Sequence, residues 1–191
     1  MKKLNLRTII FMALCCDFGL FAKRLIAPAA NLITDALRIP GGIGTSFSLM
    51  FLVIAAALVT RFGCGMVMAA VQSVLALSFG MVGSMGVLAP IGYILPGIVI
   101  DLILGVPKRI GLEWEDRILL ANVGASVCAA MAANAIVFHL AGLVLLLYVM
   151  VAATSGAVCG WLAGKLVRRL APILGAELRT GRGNVNRGNA E

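Results

Sequence analysis

Charge is what this 191-residue sequence has least of. Asp, Glu, Lys and Arg make up 13% of it, about half the ~25% usual in soluble domains, against 61% hydrophobic residues. Histidine occurs once, none of the five cysteines stands in a Cys-x-x-Cys pair, and no His or carboxylate lies at metal-ligand spacing. That leaves no metal centre to argue from, and the cysteines read as small apolar packers. A phosphate-binding loop is missing too. The nearest stretch, Gly160-Trp161-Leu162-Ala163-Gly164-Lys165-Leu166, has the wrong spacing, no Ser or Thr after the lysine, and lies inside an apolar run. Any ATP use must therefore come from partner subunits. Nor is there a polar stretch long enough to fold as a soluble domain and house chemistry.

What is present is apolar runs, at about 7–26, 43–60, 63–80, 86–105, 118–140 and 142–164. Each approaches the roughly 20 residues that span a bilayer. The expected fold is an all-α integral membrane protein of the cell membrane, a bundle of six transmembrane helices over residues 1–172. A polar tail, 173–191, reads as disordered. With the N-terminus inside, the outer side receives only Lys23, Arg24 and Arg38, leaving 13 of the 16 Lys and Arg inside. Positive residues resist translocation, so both termini are expected to be cytoplasmic. The same distribution explains the net charge of +8 without nucleic acid. The start, Met1-Lys2-Lys3 and an apolar run to Cys16, resembles a signal peptide. Leu14 and Cys15 are not the small residues such cleavage sites prefer, and the run continues, so it reads as a retained helix.

The longest outer connection, Ala27 to Gly44, carries Asn31, Thr34, Asp35 and Arg38 at i, i+3, i+4 and i+7. That spacing describes a short amphipathic helix, ended by Pro40-Gly41-Gly42, either lying at the interface or serving as a lid over an outward cavity. Trp114, in the inner loop from Val106 to Arg117, reads as an interfacial anchor. Small residues recur every four positions in Ala152, Gly156, Gly160 and Gly164, and in Ala121, Ala125, Ala129 and Ala133. Such seams admit close helix approach, within the bundle or to another membrane subunit.

Polar residues inside spans are costly and usually face a cavity or one another. Asn122, Ser126 and Asn134 share one side of the fifth span. Gln72, Tyr93 and Tyr148 lie in the third, fourth and sixth. They are candidates either to line an apolar pocket with a few orienting groups or to bond neighbouring helices. His139 ends the fifth span on a different side. Asp17 stands in the middle of the first span, the most expensive placement of all, and is expected to face the interior or a partner helix. Asp101 reads as structural, snorkelling or pairing with Lys108, Arg109 or Arg61.

The order of features, from the basic start through Pro40-Gly41-Gly42, Arg61-Phe62-Gly63 and the Gly80–Gly86 turn to Pro96-Gly97-Ile98-Val99-Ile100-Asp101-Leu102, resembles a known family. Over residues 4–172 the chain is similar to the substrate-binding S-components of energy-coupling factor transporters, nearest the thiamine and hydroxymethylpyrimidine group. The resemblance implies a non-enzymatic binding subunit that takes a vitamin-like small molecule near the outer face, under the first outer loop. It also implies docking, through the first helices, on a transmembrane coupling protein driven by two cytoplasmic ATPases, and toppling of the subunit in the membrane to release cargo. Carried onto this sequence, the lid residues are Asn31, Asp35 and Arg38; the pocket residues are Gln72, Tyr93, Asn134, His139 and Tyr148; and docking falls to Ala13, Cys15, Asp17 and Gly19. No cofactor is implied in this chain. The family's Ala-x3-Ala docking signature becomes Ala13-x3-Asp17 here, and its acidic residues on the third helix are absent, which leaves the cargo open. Three other classes stay in view. One is an ion-coupled carrier using Asp17, although no inverted repeat is visible. The second is an intramembrane serine protease using Ser84 and His139, and the third is a structural scaffold.

Overall fold

A computed structural model describes residues 6–36, 43–59, 62–80, 83–105, 111–140 and 142–174. Among the described residues there are six α-helices: α1 (Leu6–Ala36), α2 (Ile43–Val59), α3 (Cys64–Ser78), α4 (Ala89–Gly105), α5 (Trp114–Ala133) and α6 (Gly142–Leu174). No strand occurs among the described residues. Three stretches, Met85–Gly105, Trp114–Phe138 and Gly142–Pro172, are long and apolar enough to cross a membrane; Gly44–Val59 and Cys64–Ser78 are shorter apolar helices.

The bundle is organised around α2. Every residue from Leu52 to Leu58 is buried, the mark of a helix apolar on all sides. The other helices run around it in the order α1, α3, α4, α5, α6, each touching the next and each touching α2. Contacts fix their alternation: late α1 (Lys23) meets early α4 (Tyr93), late α4 (Asp101) meets early α3 (Gly65), and late α6 (Arg168) meets early α5 (Glu115). We call the end where α1 begins and α6 finishes the near end, and the opposite one the far end.

Two helices outrun their apolar cores. The run ends near Ile26, but α1 continues to Ala36, so Ala27–Ala36 forms the last turns of one helix rather than a loop bearing a separate one. Pro28 sits inside it; it forfeits the bond to the Arg24 carbonyl and crowds that carbonyl with its ring. At 31 residues α1 is roughly 46 Å long against a hydrocarbon core of ~30 Å. Likewise α6 passes position 164 and reaches Leu174, because Val167 and Ala171 keep an apolar side buried while Lys165, Arg168 and Arg169 face out.

The fifth span begins four residues earlier than its apolar run. Trp114 opens it and is 7% exposed, packed into the main core, which corrects the interfacial role its sequence position suggests. At the far end α5 passes into a π-turn, Asn134–Phe138, closed by His139 at φ 48. α4 is preceded by a 3-10 turn, Gly83–Leu88, which touches that π-turn.

Candidate functional site

The polar groups of α1, α2 and α3 meet inside the bundle. Gln72 is 1% exposed; its Nε2 donates to the Ser48 hydroxyl (3.3 Å) and the Cys16 carbonyl (3.4 Å). Gly19 lies against the same amide, since a Cβ there would come within 2.8 Å of Gln72 Nε2. The expected pocket residue thus bridges three helices. A second bridge joins α2 to α6, Ser46 to Ser155 at 2.9 Å.

The far end gathers most of the other candidates. Lys23 Nζ donates to Tyr93 Oη at 3.1 Å and sits 4.8 Å from its ring centroid, both side chains half-buried. Close to the π-turn, Asn134 Oδ1 accepts the Leu140 N–H at 2.7 Å and its Nδ2 donates to the Leu140 carbonyl at 3.4 Å. Asn134 therefore closes the end of α5 upon itself. His139 is exposed and holds the left-handed cap. Tyr148 is 3% exposed, packed edge-on to Phe138 with Ala130 and Ala152 beside it. Asn31 and Asp35 lie in the last turns of α1, their side chains outside the described ones; Arg38 and Pro40-Gly41-Gly42 fall outside the described residues, as does the Ser84 side chain. Of the expected pocket residues, Tyr93 alone is both half-buried and paired with a charged group from another helix.

The small-residue seam of α6 is used internally, against α5, while Ala121, Ala125 and Ala129 of the α5 seam are buried in the main core. A Cβ on Gly160 would lie 2.9 Å from Leu119 Cα, and one on Gly156 3.1 Å from Val123 Cα. The backbones therefore touch, as the four-residue repeat requires. Asn122, fully buried, donates through Nδ2 to the Gly156 carbonyl at 2.8 Å. Its Oδ1 and the Ser126 hydroxyl, one turn on, have no partner among the described residues.

Asp101 is placed on the near end by α4. Its Oδ1 accepts the Gly65 N–H at 2.9 Å and its Oδ2 the Met66 N–H at 2.8 Å. These are orphan donors of the first turn of α3, whose own N-cap, Gly63, supplies no side-chain bond. A carboxylate there is also stabilised by the positive end of the helix dipole. The expected structural role stands, with helix capping as its form.

The docking quartet divides. Cys15 and Gly19 turn inward, while Ala13 and Asp17 lie exposed on the outer side of α1 with Ile10, Leu14, Phe18 and Phe21. Sequence reading missed Lys23 as the partner of Tyr93, and it left Arg117 in a loop although it is 3% exposed in the first turn of α5. The available signal was the Trp114-x2-Arg117 spacing, which sets both on one side of a helix. Among the described residues no group of three or more His, Cys, Asp or Glu is placed to hold a metal, and none of the five cysteines is joined in a disulfide. Comparison with protein-family models, curated proteins and solved structures returns no match to this chain.

Proposed function

We propose that this chain is the substrate-binding subunit of an energy-coupling factor type importer. It lies in the cell membrane with both termini cytoplasmic, captures a vitamin or vitamin precursor at the far, outer end, and relies on a coupling protein and two ATPases for delivery. The observation that carries this reading is the position of Asp17. It stands in the interior of α1 with its side chain exposed among Leu14, Phe18 and Phe21, on the outside of the bundle. A carboxylate at the centre of a lipid-facing helix costs about 3 kcal/mol. Contact with a partner helix, over the small Ala13, removes that cost. An ion-coupled carrier acting alone would instead need this carboxylate on an internal path.

At the far end, Lys23 and Tyr93 are the pocket's best-supported members, with Asn31 and Asp35 in the last turns of α1. An ammonium 4.8 Å from the Tyr93 centroid already occupies the cation-accepting face of the ring. It also sets a positive charge where a ligand would stack. This favours a neutral or anionic cargo, such as an uncharged pyrimidine precursor, over a cationic thiazolium.

The test is isolation of the chain from its own membrane under gentle detergent. The wild-type chain is expected to bring a membrane protein and ATPases, and Asp17→Leu combined with Ala13→Leu to lose them while staying folded. Recovery of the wild-type chain alone, or partners retained unchanged by the double variant, contradicts the reading.

A further inference from the structure

A second site lies at the near end and does not depend on the transport reading. Arg117 is 3% exposed, yet its Nε and Nη2 have no hydrogen-bond partner among the described residues. These two N–H groups form the side-on fork of the guanidinium, the edge that grips carboxylates and phosphates in bidentate fashion. One turn earlier and on the same side of α5, Trp114 Nε1 is buried and equally unpartnered. Three buried donors, two of them on one guanidinium cation, therefore stand in the first turn of a 20-residue helix, where the dipole also favours an anion. Among the described residues the nearby acids are spoken for or turned away. Glu115 pairs with Arg168 at 2.6 Å, Asp101 caps α3, and Glu113 and Asp116 are exposed. A guanidinium buried without a counter-charge opposes folding, and none of the described residues supplies one.

The surroundings say which anion. Gly124 meets Ile103 and Val99 of α4, and Arg117, seven residues before it, lies on the same side of α5, toward the α4 seam. The outward lips of that seam are Leu102 on α4 and Leu120 on α5, both exposed apolar residues on a surface suited to acyl chains. On the neighbouring α6, Lys165, Arg168 and Arg169 are exposed, and Lys165 Nζ stands 3.6 Å from the centroid of the exposed Trp161 ring. This is the pairing of basic and aromatic residues found at headgroup level.

We propose that the near end of the α4–α5 seam binds the phosphate of an anionic phospholipid. The Arg117 fork holds it, Trp114 Nε1 supplies a third donor, and the chains lie along Leu102 and Leu120. Because the donors are shielded in the lipid-free chain, binding must part the seam locally.

The full chain in neutral phosphatidylcholine nanodiscs, titrated with phosphatidylglycerol, tests this by native mass spectrometry and unfolding midpoint. The expected result is a one-to-one lipid adduct and a raised midpoint, which inorganic phosphate does not reproduce. Arg117→Gln, and separately Arg117→Lys, which keeps the charge without the fork, should weaken the adduct about tenfold, equivalent to about 1.4 kcal/mol. A combined Lys165→Gln and Arg169→Gln variant, which leaves the Glu115–Arg168 pair intact, should retain it. Should Arg117→Gln fail to fold, Arg117→Lys and Trp114→Phe carry the test alone. No adduct, an adduct unmoved by every Arg117 and Trp114 change, equal stabilisation by inorganic phosphate, or a protein carboxylate cross-linked at Arg117 would each overturn the proposal.

Discussion

Removing the Asp101 carboxylate should unpin α3, and the size of the effect follows from its two hydrogen bonds. Asp101 is 5% exposed and accepts the Gly65 and Met66 N–H groups at 2.9 and 2.8 Å. In Asp101→Ala both donors lose their acceptor at the start of a helix with no other side-chain cap. Loss of a cap costs about 1 kcal/mol, and a buried donor left unpaired costs about 1–3 kcal/mol. The sum, allowing for overlap, is roughly 2–4 kcal/mol. Asp101→Asn keeps one oxygen as acceptor and should lose about half as much. The assays are the unfolding midpoint in a mild detergent and hydrogen exchange at Gly65 and Met66. The midpoint and the protection of those amides should fall in the order wild type, Asn, Ala, with exchange rising first at Gly65 and Met66. Wild-type protection of Gly65 and Met66 in Asp101→Ala would refute the capping argument.

Other substitutions probe the remaining assignments. Gly160→Leu should separate α5 from α6 and destabilise by about 2 kcal/mol or more, because its Cβ would lie 2.9 Å from Leu119 Cα; thermal unfolding reports it. His139→Gly should stabilise by about 1 kcal/mol in the same assay, since His139 holds φ 48 at no visible gain. Gln72→Met should cost no more than about 1 kcal/mol, its bonds being long at 3.3 and 3.4 Å, and should leave ligand affinity unchanged. Lys23→Met should change ligand affinity with little effect on stability, read by isothermal titration once a cargo is in hand.

The middle of the chain was legible because apolarity and helix coincide there. The runs 43–60 and 63–80 end within two residues of α2 and α3. The first and sixth helices ran beyond prediction because charges end an apolar run without ending backbone hydrogen bonding. Lys23 and Arg24 are followed by more helix, as are Lys165 and Arg168. The small-residue repeat of α6 marked a close-approach face, which meets α5, but spacing alone does not tell an internal seam from a docking face. Polar residues were harder. Gln72, Asn122 and Asn134 all read as pocket candidates, yet each bonds a neighbouring backbone or hydroxyl. What a polar group meets depends on which helix lies opposite, and one sequence does not record that. Arg117 was hidden for a related reason, since its burial follows from the early start of α5.

The most direct test of the binding-subunit reading is native mass spectrometry of the gently purified wild-type chain. It should carry a vitamin-sized small molecule and release a membrane partner with ATPases on activation. An empty chain without partners, which moves solute across liposomes under an ion gradient, would contradict the reading and return attention to Asp17.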